Sequence, residues 1–424
     1  MKVFIESYGC TFNKADGQIM AGFLNENDID TVDDIDDADI IIVNTCYVKL
    51  PTENKIVYRI QKLREKYPHK KIIVGGCMVE IDPEKLDSIA PDCSWIGPHQ
   101  LNKTVDVVSS TYCGDTVREY GLSRESKVGV PKISDDDLVH IIQICEGCLG
   151  SCTFCCTRFA RGPLNSYSIE DIKMEAKEAI ENGVREIQLT AQDTAAFGRD
   201  TGEKLSDLIK EVANLDGDFR VRVGMMHPKN ILNDVDEIID AIKHPNVYDF
   251  IHLPVQSGSN KVLDDMNRGH SIEQYIEIVN KFRSEIPDLT LATDIIVGYP
   301  TETDEDFTRT VDFLNSVKPN LIHLSKYQHR KGAISSSLKE IPRDVMKSRS
   351  IFLSEIKDSI TKAENDELFN TIQNILVVGK GSKGGFIGKT NSYIPVIVDN
   401  AIIGDFIQVK IIKVTSTYLV GEVI

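Results

Sequence analysis

The sequence predicts an α/β protein with three parts. These are an N-terminal parallel α/β sheet domain over residues 1–125, a central partial βα barrel over residues 130–365 and a small C-terminal β-barrel over residues 367–424. Short apolar runs alternate with helix-like stretches through the first two parts, which is typical of parallel sheets. After Glu367, β-branched runs separated by Gly and Asn-Ser replace the helical pattern, which indicates a small all-β barrel.

The N-terminal part begins with strand–helix–strand alternation. The run at Asp39–Asn44 is continuously apolar at its centre rather than alternating, as in a strand that is buried on both faces. Residues Tyr120–Asp137 contain Gly, Pro, Ser and an Asp triplet, and we predict a linker there. The predicted strands are Lys2–Ser7, Asp39–Asn44 and Lys71–Gly75, and the predicted helices are Asp16–Asn25 and Thr52–Lys66.

The central part repeats the strand–helix rhythm. Six strands separated by helical segments suit a full or partial TIM-like βα barrel, whose chemistry lies at the carboxyl ends of its strands. The predicted strands are Val139–Gln143, Glu186–Thr190, Arg220–Met225, Phe250–Pro254, Leu289–Val297 and Leu321–Lys326.

Composition and charge exclude several classes of protein. The chain has 424 residues with 41% hydrophobic and 27% charged side chains, so fibrous and wholly disordered readings are excluded. No apolar run is long enough to cross a bilayer, and Glu6 interrupts the first apolar stretch, so we expect a cytoplasmic protein without a membrane partner. The net charge of −17 argues against nucleic acid as a partner. Residues 367–424, with five Lys and four Asp or Glu, are the least acidic part.

A cysteine triplet lies in the segment that follows the first barrel strand. Cys148, Cys152 and Cys155 have C-x3-C-x2-C spacing, which lets three thiolates bind three irons of a 4Fe–4S cluster. The fourth iron then stays open for a substrate or cofactor. Zinc or inert core thiols are the alternatives, and zinc would favour a second C-x2-C pair. Cys145 and Cys156 flank the triplet, and we expect them to be packing residues, although either could substitute as a ligand.

A second set of cysteines is dispersed but follows a pattern. Cys10, Cys46 and Cys77 each come just after one of the three predicted N-terminal strands. Residues past the carboxyl ends of parallel strands converge on one edge of the sheet, so we predict a second metal site there. Cys93 and Cys113 lack this placement, and we expect them to be structural.

With these motifs the chain resembles the methylthiotransferases of the radical S-adenosylmethionine (SAM) superfamily. It is most similar to the archaeal and eukaryotic branch that acts on threonylcarbamoyladenosine in tRNA. Family segments are HLPVQSGS (252–259), MNRGH (266–270), ATDIIVGYPTET (292–303) and ARGPL (160–164). Branch segments are DGQIMAG (16–22), TRFARGPLNSY (157–167), LTAQDTAAFGRDTG (189–202) and RVGMMHP (222–228).

The resemblance implies a radical SAM barrel followed by a TRAM RNA-binding domain. It implies two 4Fe–4S clusters, one on each cysteine triad, with SAM bound at the open iron of the first. A 5′-deoxyadenosyl radical would then abstract hydrogen from adenine carbon-2, and the second cluster would deliver a methylthio group whose methyl comes from another SAM. The implied partners are tRNA, SAM and an unidentified electron donor. The cofactors carry the hard chemistry, and the protein binds and orients.

Further site residues are predicted from their places at strand ends, beside the cluster segment or in the β module. The candidates for cofactor binding are Phe154, Arg158, Thr190, Gln192, Gln256, Ser257 and Asp294. The candidates for substrate binding are Arg161 beside the cluster segment and Lys389, Thr390 and Tyr393 in the sequence GKTNSY, where a basic residue beside an aromatic one suits RNA.

Three alternatives to this function stay open at this point. The same chemistry could modify isopentenyladenosine in tRNA or an aspartate of a ribosomal protein. From another class, the chain could be an iron–sulfur electron carrier or scaffold without enzymatic activity. The branch segments favour threonylcarbamoyladenosine, and the open iron in a SAM-type barrel argues against the carrier.

Overall fold

A computed structural model describes residues 1–134 and 136–424, so that Asp135 of the predicted linker lies outside the described residues. The N-terminal domain is a six-stranded parallel sheet in the order β2-β1-β3-β4-β5-β6. Its strands are β1 (Lys2–Ser7), β2 (Asp30–Thr31), β3 (Ile40–Thr45), β4 (Lys71–Gly76), β5 (Ser94–Ile96) and β6 (Arg118–Glu119). Its helices are α1 (Thr11–Glu26), α2 (Leu50–Lys66), α3 (Cys77–Ile81), α4 (Pro83–Ile89) and α5 (Thr104–Cys113).

Helices cover both faces of this sheet, because successive strand residues point to opposite faces. Ile40 and Ile42 of β3 join the core with α1 and α5. Ile41 and Val43 of the same strand join the core with α2, α3 and α4. The double burial explains the continuous apolar run and confirms the parallel sheet that we predicted.

Helix α1 begins five residues before the predicted helix, directly after Cys10. The apolar pattern does not reveal this first turn because polar residues are buried along it. Asn13 and Asp16 are fully buried, and both contact the guanidinium of Arg161. Asn13 also donates to Tyr8 O at 2.8 Å.

The central domain contains the six predicted barrel strands with shifts of no more than two residues at their ends. Its strands are β7 (Val139–Gln143), β8 (Cys145–Glu146), β9 (Asn165–Ser166), β10 (Glu186–Thr190), β11 (Arg220–Val223), β12 (Phe250–His252), β13 (Thr290–Val297) and β14 (Leu321–Lys326). Its helices are α6 (Thr157–Arg161), α7 (Ile169–Glu181), α8 (Leu205–Ala213), α9 (Pro228–Ile231), α10 (Val235–Ile242), α11 (Asn260–Asp265), α12 (Ile272–Glu285), α13 (Asp304–Val317) and α14 (Arg343–Asp366).

The barrel is open, as predicted for a partial barrel. Strands β11-β10-β7 form one parallel sheet and β12-β13-β14 form another. The backbone bond from Tyr248 N to Val221 O, at 3.0 Å, joins the two sheets beside β11 and β12. At the open edge, Gln143 of β7 donates to Phe12 O at 3.1 Å, so α1 of the N-terminal domain lies against the barrel.

The C-terminal strands form a closed barrel in the order β15-β16-β17-β19-β18, which confirms the predicted small β-barrel. Val396, Val398 and Val409 lie in its apolar core. Within the part of the chain that the structure describes, no helix combines the length and apolarity needed to cross a membrane. The strands are β15 (Ile372–Lys380), β16 (Phe386–Thr390), β17 (Pro395–Val398), β18 (Phe406–Val414) and β19 (Leu419–Val423).

Candidate active site between two cysteine triads

Three cysteines meet at the carboxyl edge of the N-terminal sheet. Cys10 occupies the N-cap of α1 after β1, Cys46 directly follows β3, and Cys77 begins α3 after β4. Gly9 brings the Cys10 segment against Cys46, because a Cβ at Gly9 would lie 2.6 Å from Cys46 Sγ and the backbone there has φ +101°. Glycine is the residue that tolerates this conformation and this approach.

The electrostatics of these sulfurs reflect their proximity. The pKa of Cys46 is raised to about 12, chiefly by burial and in addition by the neighbouring Cys77 and Cys10. Burial also raises the pKa of Cys77, while the adjacent Arg161 guanidinium opposes that rise. A metal centre binds thiolates, so loading this site would release the protons that burial retains.

The other three cysteines, Cys148, Cys152 and Cys155, form the first triad and lie on the segment between β8 and α6. Gly150 donates its backbone N–H to Cys148 Sγ at 3.1 Å, and Arg268 Nη1 lies 3.3 Å from Cys152 Sγ. Burial raises the pKa of Cys148 to about 11, with the neighbouring Cys155 and Cys152 as further causes. These three predicted ligands are therefore brought together.

His227 gives the Cys152 sulfur a second polar neighbour. Its Nδ1 accepts the N–H of Lys229 at 3.2 Å, so its Nε2 carries the proton and faces Cys152 Sγ at 3.9 Å. Burial and the charge of Arg268 lower the pKa of His227 to about 2, which keeps the imidazole neutral. Donors directed at a sulfur stabilise its thiolate form.

Both groups of cysteines fit an iron–sulfur cluster. All ten cysteines are free thiols, so no disulfide competes for the six predicted ligands. In each group the thiols lie near enough to raise one another's pKa, and one sulfur in each accepts an N–H from a buried arginine. Thiolate sulfur is the donor that such clusters take.

A buried charged network lies between the two cysteine groups. Arg161 Nη1 is 2.7 Å from Asp16 Oδ2 and 2.9 Å from Glu146 Oε1. Lys127 Nζ is 2.9 Å from Asp16 Oδ1 and 2.8 Å from Glu146 Oε1. His99 Nδ1 lies 3.3 Å from Glu146 Oε2. The network joins the N-terminal domain, the predicted linker and the segment that carries the first triad.

This placement corrects the prediction that Arg161 binds the substrate. The side chain is 2% exposed, and its donors are directed at Asp16, Glu146, Asn13 and Cys77. Arg161 therefore belongs to the interior between the cysteine groups. Arg158, on the same helix, is exposed.

The predicted cofactor residues near the first triad differ in their surroundings. Phe154 packs beside Met266, Tyr299 and Tyr327 in a small apolar cluster. Gln192 Oε1 accepts the N–H of Gly147 at 2.7 Å and so supports the cluster segment. Thr190 is buried at the carboxyl end of β10.

Polar side chains of β12, β13 and β14 gather on the inner face of the barrel. His252 Nε2 lies 3.0 Å from Asp294 Oδ2, and the His252 and His323 rings are 5.5 Å apart. Gln256, with φ +79°, bonds to the backbone beside Asp294. The ligand atoms of His252, Asp294 and His323 lie within 4.8 Å of one another, a spacing that could also hold a divalent metal ion.

The prediction for Ser257 is also corrected. Its Oγ accepts the N–H of Ser259 at 3.2 Å and lies 3.5 Å from Thr310 Oγ1 of α13. The residue is 1% exposed. Its hydroxyl is used to stabilise the turn before α11 and to contact α13.

The candidate RNA residues of the β module lie at a domain interface. Lys389 Nζ is 2.8 Å from Glu186 Oε2 and 2.8 Å from Tyr393 Oη. The Tyr393 ring packs 4.8 Å from Tyr248 and 5.1 Å from Phe250 at the amino end of the barrel. Thr390 is 1% exposed and accepts the N–H of Ile394. The prediction that these three side chains bind RNA is therefore corrected, because Lys389 and Tyr393 attach the module to the barrel and Thr390 is buried within the module's own hairpin.

Sequence reasoning missed Arg268, His227, Glu146 and Lys127. Arg268 lies in the MNRGH segment and His227 in RVGMMHP. Both segments were recognised from the sequence, but the sequence did not indicate what these two side chains do. Glu146 lies two residues before Cys148, which was the available signal for it. Their contacts join segments far apart in the chain, and only the fold reveals them.

Comparison with known families agrees with this arrangement. The Radical SAM superfamily matches residues 142–314, the Uncharacterized protein family UPF0004 matches residues 2–97, and the TRAM domain matches residues 369–424. In fold, the chain is similar to the radical S-adenosylmethionine methyltransferase TsrM from Kitasatospora setae. The TM-score is 0.58 at 12% identity, over 79% of this chain and 77% of that one.

Curated relatives extend over the whole chain. A probable threonylcarbamoyladenosine tRNA methylthiotransferase from Methanothermobacter thermautotrophicus is 55% identical, over 100% of this chain and 99% of the relative. The Homo sapiens threonylcarbamoyladenosine tRNA methylthiotransferase is 33% identical, over 99% of this chain and 74% of the relative. The chain therefore belongs to the threonylcarbamoyladenosine tRNA methylthiotransferase family of radical SAM enzymes.

Proposed function

We propose that this chain adds a methylthio group to carbon-2 of the threonylcarbamoyladenosine beside the anticodon of tRNA, using SAM and two 4Fe–4S clusters. The observation that carries the proposal is the pair of three-cysteine sites joined through Arg161. That residue ends the helix after Cys155 and lies 3.3 Å from Cys77 Sγ. Two such sites suit a reaction in which a radical forms at one and sulfur is held at the other. The substrate is proposed from the names of the relatives.

The cysteines would hold the two clusters. When bound, a reduced cluster on Cys148, Cys152 and Cys155 supplies the electron for SAM cleavage, and a cluster on Cys10, Cys46 and Cys77 carries sulfur. An external one-electron donor is required.

In this proposal the protein's own residues bind and orient the adenine and SAM. The inner face of the barrel, with Asp294 and His252, would orient the adenine beside SAM, and Thr190, Gln192, Gln256 and Phe154 line the approach to the first triad in this proposal. Exposed Arg158 would face the substrate side. The buried Arg161 network would limit the access of water between the two sites.

Four exposed lysines support the proposed binding of tRNA by the TRAM module. Lys380, Lys383, Lys410 and Lys413 are exposed, whereas Lys389 faces the barrel. Tyr418 is 39% exposed on the same module and could stack on a base. Lysines of this kind bind phosphates and give a salt-dependent affinity. Because the proposed substrate is a tRNA, we also propose a cytoplasmic location.

Nucleoside mass analysis tests this function. In tRNA from cells that lack the gene, the methylthio form of threonylcarbamoyladenosine should be absent and the unmodified form should accumulate. The wild-type gene and a Cys93→Ala variant should restore the methylthio form, and Cys46→Ala should not. Loss of a methylthio group from isopentenyladenosine, or from a ribosomal protein aspartate, would instead support one of the two alternative substrates.

A further inference from the structure

Each group of cysteines has one sulfur in contact with a buried arginine. Arg161 Nη2 lies 3.3 Å from Cys77 Sγ, and Arg268 Nη1 lies 3.3 Å from Cys152 Sγ. The two arginines are 2% and 4% exposed. A guanidinium carries only donors, so each arginine donates a charge-assisted hydrogen bond to its sulfur.

We propose that Arg161 and Arg268 are positioning residues that raise the reduction potentials of the second and first clusters, each acting on its own site. The proposal rests on the two-cluster function above. Reduction adds one electron from the external donor and makes a cluster more negative. A positive charge and N–H···S bonds beside the sulfurs favour the reduced form, and these are known controls of cluster potential.

The two arginines differ in their counter-charges. Arg161 is paired with the carboxylates of Asp16 and Glu146, so much of its charge is balanced before a cluster is present. Arg268 Nη2 donates to the backbone oxygen of Pro254 at 2.6 Å. Among residues 1–134 and 136–424 the charge of Arg268 acts on the buried carboxylate of Asp193 but forms no ion pair with it. Arg268 should therefore act more strongly on its cluster than Arg161 does.

The test measures the midpoint potential of each cluster in the anaerobically reconstituted full chain, by spectroelectrochemistry with electron paramagnetic resonance. Cys46→Ala isolates the first cluster, and Cys148→Ala isolates the second. Arg268→Gln removes the charge at the first site and keeps an amide donor. Arg161→Gln combined with Glu146→Gln removes one positive and one negative charge at the second site. This pairing avoids leaving a buried carboxylate uncompensated.

Arg268→Gln should lower the midpoint potential of the first cluster by about 59 mV, which corresponds to a tenfold change in the one-electron reduction equilibrium. The midpoint potential of the second cluster should not change. The Arg161 pair should lower only the second midpoint, by less. Arg268→Lys, which keeps the charge, should give a smaller shift in the same direction and serves if the Gln variant does not fold.

The matched control is Arg349→Gln with Glu302→Gln. Arg349 is a buried arginine 2.5 Å from Glu302 Oε1 and contacts no sulfur among the described residues, so neither midpoint should move. Unchanged midpoints in the Arg161 and Arg268 variants at full iron content would overturn the proposal. A wild-type chain that binds only one cluster would contradict the two-cluster function and, with it, the role of Arg161.

Discussion

The position of Cys46 is determined by the strand before it. Strand β3 is buried throughout and ends at Thr45, so the next side chain emerges at the carboxyl edge of the sheet. Cys10 and Cys77 emerge at the same edge after β1 and β4. Cys93 is equally buried but stands before β5, at the opposite end of a strand. These two buried thiols therefore form a matched pair for a test of metal binding.

Replacing Cys46 by Ala should remove the second cluster and leave the first. Because each 4Fe–4S cluster contains four irons, the iron content of the reconstituted chain should fall from about eight to about four per chain. Cys93→Ala should keep about eight, since its sulfur lies outside both groups. Colorimetric iron and sulfide analysis measures this. Equal iron content in the two variants would show that Cys46 is not a ligand.

The arginines that contact the sulfurs could not be predicted from the sequence. Arg161 and Cys77 are separated by 84 positions, and Arg268 and Cys152 by 116 positions. Spacing within a motif brings neighbouring side chains together, but it does not reveal which distant segment covers them. The six cysteines were identifiable because strand ends and a short motif determine their places locally.

At the scale of elements, the strongly apolar strands were predictable and the short ones were not. Strands such as β7, β10 and β14 coincide with the predicted ranges, because each short segment contains several aliphatic residues and lies between helical patterns. Strands β2 and β6 have two residues each and carry no such run. Helices α3 and α4 are only five and seven residues long, too short for a helical period to emerge.

The hairpin of β16 and β17 shows why a local motif misled the assignment of RNA contacts. Its Lys and Tyr resemble a nucleic-acid surface in sequence, yet Glu186 of the barrel accepts from both side chains. Burial of Glu186 requires a cation beside it, because an unpaired buried carboxylate is costly. The lysines left for RNA are those on the exposed strands and turns of the module.

Replacing Lys410 and Lys413 together by Ala should weaken tRNA binding and reduce its salt dependence. If each contacts one phosphate, the slope of log affinity against log salt should become shallower by about 1.5. Lys389→Ala is the matched control: it should keep the slope and accelerate proteolysis between the barrel and the module. Filter binding over a salt series measures both affinities. A slope reduced equally by Lys389→Ala would return that residue to the RNA surface.

At the scale of the whole molecule, three parts of the chain meet at one buried carboxylate. Glu146 contacts Lys127 from the predicted linker, His99 from the N-terminal domain and Arg161 from the barrel. The net charge of −17 gave no hint of this, because it is a sum over the whole surface. A small number of paired buried charges joins the domains, and the strength of this junction should depend on pH.

The contact between the domains through Glu146 should weaken at acidic pH. Burial opposes ionisation of Glu146, but Lys127, His99 and Arg161 together hold its pKa well below its usual range. A carboxyl whose pKa is lower in the folded than in the unfolded chain stabilises the fold above its unfolded pKa, and this contribution is lost as the pH falls below about 4.5. Glu146→Gln should cost about 3 kcal/mol at pH 7 and flatten the fall of Tm between about pH 5 and pH 3. Thermal unfolding of both proteins over this range measures the difference.

Glu211→Gln, at an exposed pair with Lys173, should change stability by no more than about 0.5 kcal/mol and keep the wild-type pH profile. Parallel profiles for wild type and Glu146→Gln would mean that the network does not hold the domains together through this carboxylate.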